Sequence, residues 1–281
     1  MNILLSGAGG LVGSALAPRL VAESHTLTRL SHSQPWPELA VHDAVVHLAG
    51  ENISTGRWTP ERKERIRDSR VQVTRRLCEA VAKLPQPPRV VICASAVGYY
   101  GNRGDEVLRE ESAPGAGFLA EVCRDWEAET KPAVDAGIRV VNLRFGIILC
   151  ATGGALAKML TPFRLGLGGV LGDGQQWMSW VALDDVVGVI SNALANETLR
   201  GPVNVVAPQP VTNREFTKTL GRVLHRPAVC PAPAFALRLA FGEMADALLL
   251  ASQRAEPAKL LASGYPFRFP KLGDALQHVL G

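Results

Sequence analysis

The sequence lacks the motifs of several common kinds of site. Its five cysteines stand alone at positions 78, 93, 123, 150 and 230, with neither a C-x-x-C pair nor a His/Cys metal spacing. We therefore predict no metal centre, and the unpaired thiols favour a reducing compartment. Long hydrophobic runs are also missing, because charged residues interrupt the most apolar stretch, from Ala234 to Leu250. We expect no membrane-spanning segment.

An excess of one charge is absent as well. The formal net charge is only +4, and charged residues make up 20% of the chain. The densest basic stretch, from Arg57 to Arg76, also contains acidic residues, which is typical of a solvated helix face. We therefore predict a small-molecule substrate as partner, with no nucleic acid and no membrane, and leave a homodimer open. Because the first predicted strand begins at the N-terminus, we expect no signal peptide and a cytoplasmic location.

What the chain does have is a glycine-rich turn directly after its first apolar strand. Residues 1–6 (MNILLS) lead into 7–13 (GAGGLVG) and then into a predicted helix from Leu11 to Val21. Gly7 allows a tight turn, Gly10 lets a pyrophosphate approach the backbone, and Gly13 lets the helix pack closely. A structural β-turn is the alternative, but the position after a strand favours a dinucleotide site. The predicted contacts are Gly7, Gly9, Gly10, Leu11, Val12 and Gly13.

The end of the second predicted strand indicates which dinucleotide binds. NAD enzymes place an acidic residue there for the ribose hydroxyls. This chain has Arg29, followed by Ser31. A guanidinium pairs with a 2′-phosphate but offers no acceptor to a 2′-hydroxyl. We therefore predict NADP as the cofactor, bound by Arg29 and Ser31, against the alternative of a solvated surface arginine.

Strand-like and helix-like segments alternate through the first two-thirds of the chain. Continuous β-branched runs such as residues 90–92 (VVI) imply strands that are buried on both faces. The sequence thus predicts an α/β fold with a Rossmann-like, doubly wound parallel sheet. Further predicted strands are Ala44–Leu48, Val90–Ala94, Val140–Phe145 and Val203–Val206, and further predicted helices are Pro60–Leu84, Phe118–Ala136, Leu183–Ala195 and Asn213–Leu224.

The composition changes after Thr152. Glycines and aromatic residues crowd the segment from Gly153 to Trp180, which suits a loop lining a cleft, although a flexible surface loop explains them too. Farther on, prolines separate short helical stretches, a pattern suited to a small cap. We predict a nucleotide-binding domain over residues 1–163, to which 183–206 return. A small, discontinuous C-terminal substrate cap is predicted from residues 164–182 and 207–281.

Three more segments follow or end predicted strands, namely residues 47–52 (HLAGEN), 95–101 (SAVGYYG) and 143–149 (LRFGIIL). They share the carboxyl edge of the sheet, where ligands bind in doubly wound folds. We expect the cofactor to extend along this edge. The predicted contacts there are Leu48, Ala49, Gly50, Glu51 and Ser95.

With the N-terminal glycines, these segments resemble the extended short-chain dehydrogenase/reductase superfamily. Residues 49–53 (AGENI) and 162–169 (PFRLGLGG) are also similar to an atypical group within it, the epimerase-family proteins. Residues 213–216 and 264–267 resemble the C-terminal domain of that group. The resemblance spans nearly the whole chain, and it implies an NADP-binding Rossmann domain with a small substrate domain.

The catalytic triad of the superfamily is incomplete in this chain. The resemblance implies a role for Ser95, but Phe118 and Val122 stand where the family has Tyr-x-x-x-Lys. Neither transfers a proton. Tyr99 or Tyr100 is the predicted substitute, with a packing role as the alternative for both. We therefore expect an NADP-dependent oxidoreductase or epimerase acting on a carbonyl or sugar-like small molecule, or else a regulatory protein that senses NADP(H) without hydride chemistry.

Overall fold

A six-stranded sheet forms the centre of the computed structural model, which describes residues 1–30, 39 and 42–281. The strands of the described chain are β1 (Asn2–Ser6), β2 (Thr26–Leu30), β3 (Ala44–His47), β4 (Val90–Ala96), β5 (Val107–Leu108), β6 (Arg139–Phe145), β7 (Ile147–Leu149), β8 (Trp177–Met178), β9 (Trp180–Ala182), β10 (Gly201–Val205), β11 (Val211–Thr212) and β12 (Arg254–Ala255). The α-helices are α1 (Leu11–Ala22), α2 (Pro60–Asp68), α3 (Val71–Ala82), α4 (Phe118–Ala128), α5 (Lys131–Asp135), α6 (Gly154–Arg164), α7 (Leu183–Ala195), α8 (Asn213–Val223), α9 (Ala234–Phe241), α10 (Ala258–Ala262) and α11 (Leu272–Leu280).

The order of the strands reverses at one point in the central sheet. They lie in the sequence β10-β6-β4-β3-β1-β2, and every neighbouring pair is parallel. The chain therefore moves outward from β1 to β2 and then returns past β1 to β3. A crevice opens at such a switch point, above the carboxyl ends of β1 and β3. The predicted α/β, Rossmann-like, doubly wound fold is confirmed.

Helices cover the sheet on both faces, because alternate residues of each strand point to opposite sides. Ile3 and Leu5 of β1 belong to one apolar core, whereas Leu4 between them belongs to the other. The first core is closed by α1 and α7, and the second by α3 and α5. This double burial explains the continuous apolar runs in the sequence.

Two long predicted helices are each broken in the structure. The predicted helix Pro60–Leu84 is divided into α2 and α3, because Ser69 and Arg70 turn their side chains toward the loop after β3. The predicted helix Phe118–Ala136 ends at Ala128 and resumes as α5. At this break, the Thr130 hydroxyl donates to the carbonyl of Glu127. The predicted helix Leu183–Ala195 has the predicted bounds.

A further apolar core lies in the C-terminal part of the chain. It joins α6, α8 and α11 around Trp180 and Phe216. Short parallel strand pairs, β12 with β5 and β7 with β9, connect this part to the Rossmann half. The two halves therefore share backbone hydrogen bonds as well as side-chain contacts.

All five cysteines are free thiols, but they differ in exposure. Cys78, Cys93 and Cys123 are buried, Cys150 is half-buried and Cys230 is exposed. Burial raises the pKa of the Cys123 thiol to about 12. In the part of the chain that the structure describes, no cluster of His, Cys, Asp and Glu side chains has the arrangement of a metal site. No helix found there has both the length and the apolar character needed to cross a bilayer.

Candidate functional site

The glycine turn lies at one side of the crevice and has almost no room for side chains. Gly7 has a φ of +72°, and a Cβ atom there would lie 2.7 Å from the carbonyl carbon of Leu48. A Cβ atom on Gly13 would lie 2.2 Å from the carbonyl oxygen of Gly7. On Gly9, by contrast, it would meet nothing within 4 Å. Gly7 thus brings β1 against the backbone after β3, and Gly13 brings α1 against the turn.

The N-terminus of α1 opens into the same space. Gly10 precedes the helix and has no side chain to cap it, while its own N–H donates to the Gly7 carbonyl over 3.0 Å. Leu11 and Val12 form the first helical turn. Backbone N–H groups of an uncapped first turn, together with the helix dipole, favour an anion such as a phosphate.

Arg29 lies at the same edge of the sheet as the glycine turn. It stands beside Leu5 in the parallel pair of β2 with β1, and its side chain is exposed. The structure thus places a cation near the end of the strand where a 2′-phosphate is expected. Ser31, the other residue predicted for this phosphate, lies outside the described residues.

The loop after β3 forms the opposite side of the crevice. Two residues at the junction of α2 and α3 hold it in place. The Arg70 guanidinium donates to the Glu51 carbonyl over 2.9 Å, and the Ser69 hydroxyl accepts from the Glu51 N–H over 3.0 Å. A Cβ atom on Gly50 would lie 3.1 Å from the same guanidinium. Leu48 and Ala49 connect this loop to β3. Burial lowers the pKa of Arg70, and the negative charge of Glu51 opposes this shift only in part.

Ser95, near the carboxyl end of β4, is bound to a carboxylate. Its hydroxyl donates to Oε1 of Glu127 over 2.6 Å. The same carboxylate accepts from Nε and Nη2 of Arg144 over 2.8 and 2.7 Å, and the exposed fractions of the two side chains are 11% and 3%. Burial opposes the charge of Arg144, but its bonds to Glu127 outweigh this effect and raise its pKa.

Two adjacent tyrosines contact this ion pair in different ways. The Tyr100 hydroxyl is buried, accepts from Arg144 over 2.9 Å, and lies 2.7 Å from Oδ1 of Asn204. Burial raises the pKa of Tyr100 to about 12. The ring of Tyr99 stacks on the Arg144 guanidinium, with 3.5 Å between the guanidinium carbon and the ring centroid. Among the described residues, none forms a hydrogen bond with the Tyr99 hydroxyl.

The helix expected to carry the family's Tyr-x-x-x-Lys is α4. Val122 is buried, with 2% of its surface exposed, and Phe118 is half-buried at the first position of the helix. The Trp58 ring meets Phe118 edge-on, with 5.2 Å between their centroids. The two positions at which we expect the acid and the lysine of the superfamily therefore carry hydrocarbon side chains in contact with their neighbours.

Sequence reasoning missed Glu127, which joins Ser95 to Arg144. One signal was present, because an arginine within a buried strand needs an anionic partner. That signal points to Arg144 but does not identify the partner, which lies 17 residues earlier in the chain.

Comparisons with known proteins agree with this architecture. The model of the NAD dependent epimerase/dehydratase family matches residues 3–206, and a domain of unknown function (DUF1731) matches residues 232–279. An epimerase family protein of Mycobacterium bovis is 43% identical over 293 residues, which cover 99% of this chain and 97% of the relative.

Solved structures extend the likeness to three dimensions. The crystal structure of the human epimerase family protein SDR39U1 with NADPH has a TM-score of 0.93 at 36% identity, and the match covers 99% of each chain. A structure described as a nucleoside-diphosphate sugar epimerase from Corynebacterium glutamicum has a TM-score of 0.83 at 40% identity, covering 100% of this chain and 58% of the other. The chain belongs to the NAD-dependent epimerase/dehydratase family of extended short-chain dehydrogenases/reductases, in the group of epimerase family proteins that carry a C-terminal DUF1731 domain.

Proposed function

We propose that the protein is an NADP-dependent oxidoreductase or epimerase that acts on a carbonyl or sugar-like small molecule. The observation that carries this proposal is the crevice at the switch point, which combines a closely packed glycine turn with an uncapped helix N-terminus. The human relative was crystallised with NADPH at 36% identity, which supports the same cofactor here. A bound nicotinamide supplies or accepts the hydride in this class of reaction.

The residues present fit NADP along the whole carboxyl edge. Gly7, Gly9, Gly10, Leu11, Val12 and Gly13 are proposed to hold the pyrophosphate, because Gly7 and Gly13 keep the turn compact and the first turn of α1 has no side-chain cap. Arg29 is proposed to bind the 2′-phosphate together with Ser31. Leu48, Ala49, Gly50, Glu51 and Ser95 are proposed to flank the nicotinamide half.

Ser95 and Tyr99 are proposed to handle the proton. The Glu127–Arg144 pair supports this assignment, because its carboxylate orients the Ser95 hydroxyl and its guanidinium holds the Tyr99 ring. The Tyr100 hydroxyl is engaged inside the same network, which suits positioning better than proton transfer. The proposal therefore favours Tyr99 over Tyr100 as the acid.

The substrate is proposed to bind between the Rossmann half and a cap formed by residues 164–182 and 207–281. The apolar core around Trp180 and Phe216 supports a cap with its own packing, to which α6 also contributes. We also propose a reducing, cytoplasmic location, which the five free thiols support.

Calorimetric titration with NADPH and NADH tests the cofactor, and a panel of carbonyl and sugar-like substrates tests the reaction. We expect tighter binding of NADPH and oxidation of NADPH with at least one substrate. Equal affinities, or no binding, would contradict the assignment of NADP.

Tyrosine replacements test the acid. Tyr99→Phe is expected to lower turnover while NADPH affinity is retained. Tyr100→Phe is expected to lower both turnover and stability. Unchanged turnover in the double variant would remove both tyrosines from the mechanism and leave water or a substrate group as the acid.

A second candidate function is an NADP(H) sensor without hydride chemistry. Phe118 and Val122 favour it, because they replace the proton-transferring tyrosine and its lysine. A partner protein that binds only in the presence of NADPH, together with no turnover across the substrate panel, would decide for the sensor.

A further inference from the structure

Residues 51–59, which we call the strap, begin beside the crevice and cross to the other half of the molecule. The strap follows Gly50 directly and ends at Thr59, whose side chain caps α2. Within it, the Ser54 N–H donates to Oδ1 of Asn52 over 2.8 Å, and Nε1 of Trp58 donates to the Ile53 carbonyl over 2.8 Å. These internal bonds give the segment a defined shape.

Side chains attach the strap to elements on both sides of the crevice. Arg57 donates to the carbonyl of Leu239 in α9 over 2.6 Å. Lys158 of α6 donates to the carbonyl and the hydroxyl of Ser54 over 2.6 and 2.8 Å. The start of α6 lies against the glycine turn, because a Cβ atom on Gly153 would be 2.8 Å from Cδ1 of Leu11. The strap is therefore held near the proposed pyrophosphate site and at the C-terminal domain.

An ion pair connects the helix after the strap to the C-terminal domain. Nζ of Lys63, in the first turns of α2, lies 2.6 Å from Oε2 of Glu243, just beyond α9. The exposed fractions of the two side chains are 30% and 48%. Because both charges reach solvent, salt weakens this pair and opening it is not costly.

Phe118, the first residue of α4, contacts both the strap and α2. The Trp58 ring packs edge-on against it, and the Lys63 ammonium lies 4.9 Å from its ring centroid. In the superfamily this position carries the catalytic tyrosine. Here Phe118 is contacted by the Trp58 indole of the strap and by the Lys63 ammonium of α2. Phe118 has no proton to transfer, and its role in this structure is to pack against these two groups.

We propose that the strap closes over the nicotinamide half of bound NADP(H), with Phe118 as its seat and the Lys63–Glu243 pair as its latch. The proposal rests on the proposed NADP binding. A closed strap excludes water from the carboxyl edge and sets how long the cofactor stays bound. Release of the cofactor then requires the latch, the Trp58 contact and the Arg57 and Lys158 hydrogen bonds to open.

Stopped-flow measurement of NADPH dissociation, followed by the fluorescence of the nicotinamide, tests the strap in the full-length protein. Lys63→Met and Glu243→Gln are each expected to raise the dissociation rate about threefold, as for a partly exposed ion pair. Trp58→Ala is expected to raise it about tenfold, because an aromatic contact is lost as well. The exchange of charges in Lys63→Glu with Glu243→Lys is expected to restore a slow rate.

Lys131→Met is the matched control, because it removes an exposed lysine–aspartate pair within α5, separate from the strap and from the Lys63–Glu243 pair. Its dissociation rate is expected to equal that of the wild type. Raised salt should speed dissociation more in the wild type than in Lys63→Met, because in the variant only the contacts to the phosphates of the cofactor are left to be screened. If NADPH binds but Lys63→Met, Glu243→Gln and Trp58→Ala release it at the wild-type rate, the strap is overturned while the proposed function stands. If the wild type binds no NADPH, both proposals are overturned.

Discussion

Two regions near the carboxyl edge of the sheet, the glycine turn and the start of α4, differ in what their sequences allow. On the glycine side, the packing of backbone on backbone leaves no space for a side chain at Gly7 or Gly13. In the other region, at the start of α4, Phe118 and Val122 stand where we expect two polar residues of the superfamily. The shape of the glycine turn is thus set by backbone contacts, whereas the start of α4 is defined by its side chains.

This difference explains how a chain can keep the features of a dinucleotide site and still depart from the usual triad. A glycine turn is part of the connection between β1, α1 and β3, so that altering it disturbs the sheet. The first residue of α4, Phe118, is only half-buried. A buried polar network around Glu127 and Arg144 holds the Ser95 hydroxyl.

The strongest test of that network is the removal of its carboxylate. Glu127→Ala leaves the buried Arg144 without its anion, which we expect to cost about 3–5 kcal/mol in the free energy of unfolding. Urea denaturation measures the change. Glu129→Ala is the matched control, because it breaks the pair with the mostly exposed Arg75 and is expected to cost less than about 1 kcal/mol. Equal losses in the two variants would contradict the role of the buried pair.

On the glycine side, one methyl group separates a closed position from an open one. Gly13→Ala forces its Cβ atom against the Gly7 carbonyl, and we expect a loss of about 1–3 kcal/mol in stability together with weaker NADPH binding. Gly9→Ala meets nothing within 4 Å and should keep the wild-type stability. Differential scanning calorimetry and NADPH titration compare the two. A tolerated Gly13→Ala would show that the turn is less rigid than its contacts indicate.

Arg29 sharpens the comparison, because it is an exposed side chain near the glycine turn, whose packing is set by backbone contacts. Arg29→Ala is expected to weaken NADPH binding by about 1–3 kcal/mol, the usual range for hydrogen bonds to a charged group. NADH lacks the 2′-phosphate, so its affinity should not change. Parallel titrations with both cofactors measure this difference, and an equal loss for both would argue against a phosphate contact.

The smallest expected effect concerns pH and Tyr100. Its pKa is raised from 10 to about 12 in the folded protein, so that the unfolded chain loses this proton first as the pH rises. The stability that the wild type gains from the hydroxyl is therefore present below pH 10 and declines toward pH 12. Tyr100→Phe should be about 1 kcal/mol less stable near neutral pH, with a smaller difference at alkaline pH. Urea midpoints between pH 8 and 11 measure this trend, and parallel curves for the two proteins would contradict it.

The sequence predicted the glycine turn and the sheet well, because both depend on local patterns. Backbone geometry demands glycine at Gly7 and Gly13, and double burial demands the apolar runs of β1 and β4. The breaks in the long helices were not predicted. At the first of them, Arg70 ends one helical segment by bonding to the Glu51 carbonyl, a contact between residues far apart in sequence.

The network around Ser95 was outside the reach of sequence reasoning for the same reason. Ser95, Tyr99 and Tyr100 were chosen as neighbours in sequence, but Glu127 and Arg144 decide how their side chains are held. No local pattern pairs a glutamate of a helix with an arginine of the following strand. The roles of Ser95 and of the two tyrosines remain predictions for mutagenesis.

The unequal exposure of the five thiols allows the protein to be labelled with a dye at one natural cysteine. Cys230 is exposed in the C-terminal part of the chain, whereas Cys78, Cys93 and Cys123 are buried. A maleimide dye should therefore react first at Cys230 without any engineered cysteine, and Cys150→Ser removes the half-buried competitor. Energy transfer between such a dye and a donor introduced on the opposite half would then follow the approach of the two halves in solution, molecule by molecule.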